Sequence, residues 1–457
     1  MDIKQRKLAI KPFSKQSGKN VTSTPKHKSV SKRRARVLVK RSLGKSFIAL
    51  AALWAPLVGV AAPVTTPWHQ NTEPTEQFSS LDSRVARMQE AQAYYETIIE
   101  QGGWKPLDAG ELLAEGALRK GDTSQAVSLL ITRLAKEYPA LHTLCDDRSV
   151  LSPSLRHCTF DELIEDAVKD FQQRHGLDVD GVVGKNTLAA LNITAEQKKQ
   201  QLALNIARLT AFEANDEDAY VLVNIPEFRL RYINDGQVKA KKDVVVGKPS
   251  WATPSFSDEI EKFVVNPEWR IPLSIATREI APKVAEDPDY LEKNNIVIRK
   301  NSFIDDELVD PSTIDWASVK PYQFDHFLVK LPHDKNPLGK VKYLFPNPHA
   351  VYVHDTPYQQ WFNEPVRAAS HGCIRLEDPF SLAKLIAEEQ GVESLMDNVI
   401  SARDLRESKT FHLKEPLPIH LVYWTAWADE NGRINFRNDI YRRDARDTQS
   451  LSQLASL

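Results

Sequence analysis

Val351-Tyr352-Val353-His354-Asp355-Thr356, and after it Ser370-His371-Gly372-Cys373-Ile374-Arg375, are the two stretches that decide how this chain is read. The first alternates like a strand and ends on an imidazole; the second sets a thiol behind a glycine. A thiol attacks only as its thiolate, so it needs a base or a cluster of main-chain N–H groups nearby. His371 is adjacent to the cysteine's own segment, and neighbouring side chains on extended backbone point apart. His354 lies 19 residues upstream of Cys373, far enough to return on a neighbouring strand. We therefore expect His354 as the base, its second ring nitrogen held by the Asp355 carbonyl or side chain. Gly372 would let the backbone approach a substrate, with the N–H groups of Gly372 and Cys373 facing an oxyanion. Covalent thiol chemistry is the expectation.

Outward from this pair, short β-rich runs such as Tyr220-Val221-Leu222-Val223 and Val244-Val245-Val246-Gly247 predict a mainly β domain over 219–410. A proline-containing helical passage at about 270–326 reads as an insertion packed over the site, because long connections are usually functional. Residues 411–445 read as a closing β-hairpin turning at Asn431-Gly432, and 446–457 as a frayed polar tail. Upstream, helical spacing marks a scaffold within 63–116 behind a polar linker, and 193–218 a bridging helix. Residues 117–192 form a compact unit in which Gly176 ends a helix, Asp180-Gly181 makes a turn and Thr187 starts the next helix.

The chain has 457 residues, 42% hydrophobic and 26% charged, enough for two or three soluble domains. Its net charge of −1 hides an asymmetry: 15 Lys and Arg face only Asp2 before residue 46. The acidic remainder argues against nucleic-acid binding, which needs a basic footprint. Behind the basic stretch, Phe47–Ala62 is an uncharged apolar run, so 1–62 reads as a signal peptide or a membrane anchor. Either way the rest is exported, and the anchor reading tethers it to the inner membrane. Of three cysteines, Cys145 and Cys158 would pair in an oxidising compartment, leaving Cys373 as the odd thiol. No cofactor is expected: His326, His333, His349, His412 and His420 show no metal-ligand spacing, and no glycine-rich phosphate loop occurs.

Two resemblances attach to these residues. Val168-x-x-Phe171-Gln172, with Gly176-Leu177-x-x-Asp180-Gly181-x-x-Gly184-x-x-Thr187, resembles the peptidoglycan-binding three-helix module, with 135–159 as an insertion into it. His354 followed by Ser370-His371-Gly372-Cys373-Ile374-Arg375 resembles the L,D-transpeptidase signature. Asn224-Ile225-Pro226, Val245-Val246-Gly247-Lys248-Pro249 and Tyr423-Trp424-Thr425-Ala426-Trp427 resemble the long periplasmic Gram-negative members. The resemblance implies a multidomain α+β protein: helical scaffold, peptidoglycan-binding-like module, then a mainly β catalytic domain with a helical capping insertion. It implies Cys373 as nucleophile, His354 as general base and acid, and Ser370, His371, Gly372, Arg375 and Asp355 in support. Arg375 would orient the motif, bind a stem carboxylate or make a structural ion pair. The implied reaction joins peptidoglycan stems by 3→3 cross-links, with carbapenems acylating the same thiol. Attachment of a lipoprotein to the wall and a non-catalytic wall-binding scaffold are the alternatives.

Overall fold

The computed structural model describes residues 66, 80–114, 116–143, 158–212, 217–300, 307–406 and 408–454, with side chains through 449. All described residues belong to one compact unit, Ala62–Leu457. The expected leader, nearly all of the linker, Cys145 and much of the 135–159 insertion lie outside the described residues. Cys158 is disulfide-bonded and Cys373 is free. Among the described residues no helix is long and apolar enough to cross a membrane.

Helix α1 (Leu81–Glu100) starts where Ser80 accepts a hydrogen bond from the Ser83 N–H. Helices α2 (Gln125–Leu134), α3 (Glu162–His175) and α4 (Lys185–Leu191) then enclose a small core of Val127, Leu130, Phe160, Phe171 and Leu188. Gly176 ends α3 in the left-handed region (φ 65°). Gln172 pins the turn after it, donating to Asp180 at 2.7 Å and the Val182 carbonyl at 2.9 Å while accepting from Gly181 N–H. Thr187 does not start α4. The helix begins at Lys185 with Gly184 as its cap, and the Thr187 hydroxyl donates back to Val182. Helix α5 (Ala195–Thr210) opens with a reciprocal capping box between Thr194 and Gln197.

The β domain comprises β1 (Ala219–Asn224), β2 (Arg229–Asn234), β3 (Gln237–Gly247), β4 (Phe256–Val265), β5 (Val341–Leu344), β6 (Val353–His354), β7 (Ala368–Ser370), β8 (Ile374–Leu376) and β9 (Lys409–Val422). They form one sheet in the order β7-β3-β8-β6-β5-β4-β9-β1-β2. A further pairing of β3 with β2 brings the sheet back onto itself, which removes the edges that would otherwise be exposed. Period-two alternation assigns the faces. Val221, Val223, Val244, Val246, Phe263, Val265, Val341, Tyr343, Val353, Ile374 and Leu376 share one hydrophobic core with residues of α6 (Pro379–Glu389) and α7 (Ser394–Leu405). Lys342, His354, Cys373 and Arg375 must then lie on the other face.

The expected hairpin over 411–445 is a different structure. Residues 409–422 are β9, sandwiched inside the sheet between β4 and β1 because Leu417, Ile419 and Leu421 belong to the core. Only Ala426–Ala428 and Ile434–Phe436 make a hairpin, and Trp427, Ala428 and Phe436 pack with Met88, Tyr95 and Leu202 of α1 and α5. The tail is not frayed through its length either. Helix α8 (Arg443–Leu454) is fastened to α5 where Arg208 pairs with Asp444 at 2.8 Å and Asp447 at 2.7 Å.

The insertion expected to be helical is mixed. Three short strands, Trp269–Arg270, Phe327–Lys330 and Ile296–Arg299, form their own antiparallel sheet, the last burying Ile296 and Ile298 at alternate positions. A turn of π-helix at Ala276–Ile280 runs into a short helix at Ala281–Glu286. Ile271, Ile280, Val284, Leu291, Ile298 and Leu328 give it a separate core.

Candidate active site

Strands β6 and β8 run parallel with His354 opposite Arg375 and Val353 opposite Ile374, and the Ile374 N–H donates to the Tyr352 carbonyl at 3.0 Å. That register sets Tyr352 beside Cys373 and makes His354 a diagonal neighbour of the thiol, about 7–8 Å away by strand geometry. On the other side of β6, β5 places Lys342 opposite His354. Lys342, His354 and Arg375 therefore form one row across three strands, with Tyr352 and Cys373 in the next.

His354 is 5% exposed. Its Nδ1 donates to the Asp355 main-chain carbonyl at 2.5 Å, which leaves Nε2 as the acceptor of a neutral ring. Burial first, then the charge of Arg375, pushes the imidazole down to about 3, against a smaller opposing effect of its main-chain hydrogen bonds. The Asp355 carboxylate takes a different task. It accepts from Lys340 N–H and Thr356 N–H, both at 2.7 Å, and so fixes the loop ahead of β5.

Cys373 is half-buried, its Sγ donating to the Ala350 carbonyl at 3.8 Å and its side chain set beside Tyr352 by register. Burial raises the thiol above its ordinary value, while Tyr352, Lys342 and Arg375 pull it down. The resting pair is thus neutral thiol and neutral imidazole. Ser370 shapes the turn between them and the sheet: its hydroxyl donates to the Cys373 carbonyl at 2.6 Å and accepts from Gly372 N–H at 3.1 Å. The Gly372 N–H is consequently engaged and is not the free oxyanion donor expected, which leaves that task to the Cys373 N–H. Gly372 itself sits at φ 109°, where a side chain would be strained. Thr253 ties the turn to β3, donating to the Gly372 carbonyl and accepting from Gly247 N–H, both at 2.9 Å.

His371 points away from the thiol, exposed and edge-on to Trp251 at 5.4 Å between centroids. Arg375 has no carboxylate within ion-pair reach among the described residues, and burial lowers its pKa. The insertion reaches this face: the charge of Arg270 acts on Lys342, and that of Glu279 on His371. Among the described residues no group of three His, Cys, Asp or Glu is arranged to hold a metal ion.

Sequence reasoning missed Lys342 and the placement of Tyr352. The ammonium of Lys342 lies 3.7 Å from the Tyr352 ring centroid. The signal was available: a lysine alternating with Val341 and Tyr343 marks which face of β5 is not core.

Burial of neutral histidines has a consequence for stability. His354 and His175 both titrate below the ordinary histidine value, chiefly because burial disfavours the imidazolium. Their stabilisation is complete above about pH 6.5 and is lost as pH falls through that value, down to about 3 for His354. Each costs up to about 1.4 kcal/mol per pH unit in that window. Urea midpoints measured from pH 7 to 5 should fall, where carboxylates are still ionised, and the slope should flatten in His354→Gln. An unchanged midpoint would mean that neither ring is buried neutral.

Residues 218–394 match the family model described as L,D-transpeptidase catalytic domain, and residues 157–191 match "Putative peptidoglycan binding domain". The chain is 34% identical over 248 residues to a Haemophilus influenzae protein named "Putative L,D-transpeptidase", covering 54% of this chain and 48% of that one. The chain thus spans about half the length of the curated relative it matches. Among solved structures, it is similar to an L,D-transpeptidase from Mycobacterium smegmatis at 16% identity and TM-score 0.21, over 45% of this chain and 58% of that one. It is similar also to one from Stackebrandtia nassauensis at 12% identity and TM-score 0.24, over 67% and 94%. Residues 218–394 are thus similar to L,D-transpeptidase catalytic domains and 157–191 to a putative peptidoglycan-binding domain.

Proposed function

We propose that this catalytic domain, at residues 218–394, works as a cysteine-dependent peptidoglycan L,D-transpeptidase outside the cytoplasm. The observation that carries the reading is the register of β6 and β8, which makes His354 and Cys373 diagonal neighbours on one face, with Tyr352 opposite Cys373. In the first half-reaction the Cys373 Sγ bonds to the carbonyl carbon that joins the diamino acid of a donor stem to its terminal D-alanine. The thiol proton passes to His354 Nε2 and from there to the leaving amine. D-alanine departs and a thioester remains. In the second, a side-chain amine of another stem attacks the thioester, gives its proton to His354 and expels the thiolate, which leaves a 3→3 cross-link.

The Cys373 N–H would face the oxyanion, held in place by the Ser370 bond to the Cys373 carbonyl. Arg375, charged and without a carboxylate partner among the described residues, suits a carboxylate of the stem. The insertion would limit water at the thioester and so favour an amine over hydrolysis. The module at 157–191 would bring the wall to the domain. The basic stretch and apolar run ahead of residue 63 would export the chain.

Intact mass after mixing with a carbapenem tests the reading. Sulfur addition to the lactam carbonyl opens the ring without losing an atom, so the adduct should equal the protein plus the whole drug. We expect it on wild type and not on Cys373→Ala. A folded, reduced wild type that takes up no drug would leave the wall-binding scaffold as the better reading. Muropeptides from cells expressing the protein would then separate 3→3 cross-links from lipoprotein attachment.

A further inference from the structure

We propose that Lys342 is a positioning residue for the nucleophile: its ammonium, seated on the face of Tyr352, steadies the Cys373 thiolate through the Tyr352 hydroxyl. The proposal rests on Cys373 being the nucleophile of the reaction above.

Three observations carry it. Register places Lys342 directly opposite His354 and diagonal to Tyr352 on the face opposite the core. The Lys342 Nζ lies 3.7 Å from the centre of the Tyr352 ring, close for a cation over an aromatic face. Register sets Tyr352 directly opposite Cys373, and burial together with the neighbouring cysteine holds its phenol well above the ordinary value, so the hydroxyl keeps a proton that it can donate to sulfur. No carboxylate lies within ion-pair reach of Lys342 among the described residues, so its charge is not already spent. Burial lowers the ammonium to about 8, and Cys373 is the group that opposes this.

The charged and titratable groups facing this pair are few. Tyr352 and His354 come from β6, Cys373 and Arg375 from β8, and Arg270 from the insertion. Lys262 of β4 lies opposite Leu344, two residues along β5. Glu279 and Lys248 act on His371. His354 stays neutral through the working range, and Arg375 keeps its charge. Lys342 is then the group whose protonation changes near the pH at which the thiol must ionise. In the ionisation the S–H bond breaks, the proton goes to His354 Nε2 or to solvent, and the electron pair stays on sulfur. A cation beside that sulfur favours the thiolate and lowers the pH at which it forms.

Alkylation of Cys373 by iodoacetamide, followed by mass against pH on the full chain, reads this directly. At pH 8, where the ammonium is still partly charged, Lys342→Met should slow alkylation several-fold. Lys342→Arg keeps its charge where lysine loses it, so its midpoint should fall below that of wild type. A merely structural lysine would not produce the order Arg, wild type, Met. A Lys342→Met alkylation rate at pH 8 equal to that of wild type, in protein with an unchanged circular dichroism spectrum, overturns the proposal. If Lys342→Met does not fold, a Lys342→Arg midpoint at or above wild type overturns it instead. Alkylation needs no transpeptidase activity. Failure of the carbapenem adduct with this order intact would therefore count against the acyl-transfer reading alone.

Discussion

His354→Asn should slow acylation of Cys373 by a carbapenem about 10²–10⁴-fold at pH 7, the usual contribution of a positioned base. Asparagine is the informative replacement because its amide N–H can still reach the Asp355 carbonyl that the imidazole holds, so the loop is kept while the proton acceptor is lost. The size of the effect is not obvious from the resting state. Burial raises the thiol above its ordinary value and lowers the imidazole to about 3, so proton transfer between them is uphill in the resting state. That cost is tolerable. A turnover of about 10 per second corresponds to a barrier near 16 kcal/mol, so a thiolate–imidazolium pair fits inside it as a minor state. Without His354 the proton must leave to solvent, and the variant's rate should climb steeply with pH as the thiol ionises unaided. The wild-type rate should climb less. Acylation of His354→Asn within a few-fold of wild type at pH 7 would place the base elsewhere, with Lys342 the first candidate.

Much of this site could be read before any coordinates, for a physical reason. A strand ending on His354 and a glycine-cysteine turn are local patterns, and local patterns survive folding. Period-two alternation in Val341-Lys342-Tyr343-Leu344 was equally legible, yet Lys342 was missed because its meaning depends on register. Only pairing with β6 makes it the neighbour of His354 and not of solvent. Gly372 failed differently. Its N–H is unremarkable in sequence, and the Ser370 hydroxyl two residues earlier captures it. The long strand Lys409–Val422 was taken for half a hairpin because Asn431-Gly432 is a strong turn signal. Which sheet a strand joins is decided by distant partners, here β4 and β1. The helical content attributed to the insertion missed Ile296–Arg299, four residues whose strand character shows only once Phe327–Lys330 lies beside them.

Glu137→Leu should cost about 3–5 kcal/mol of stability, more than any surface change, because it leaves buried cations without their partner. Glu137 is fully buried where module, scaffold and closing hairpin meet. It accepts from Lys198 Nζ at 2.9 Å, Tyr95 hydroxyl at 2.5 Å and Arg133 at 3.0 Å. Burial opposes its ionisation, but Lys198, Arg133 and Arg174 outweigh that and hold the carboxyl well below its ordinary value. Lys198, equally buried, has His175 Nε2 at 2.9 Å and the rings of Phe171 and Phe436 at 5.1 and 5.0 Å. Burial lowers its ammonium to about 7 even with Glu137 present. Removing the carboxylate should therefore drive Lys198 to the neutral amine, which caps the loss near the lower end of the range. Arg133 has no such escape, since a guanidinium does not shed its proton. It does keep the Leu191 carbonyl at 2.8 Å and the Trp104 face at 3.6 Å. Adding Lys198→Met to Glu137→Leu should recover part of the stability, because an apolar pair of similar volume needs no counter-charge. Urea unfolding of the single and double variants decides the matter: a double variant no more stable than Glu137→Leu would mean that the ion pair is not what fastens these elements. The same network joins α1, α2, α3, α5 and the hairpin. Its loss should free the module from the scaffold, while leaving alkylation of Cys373 untouched.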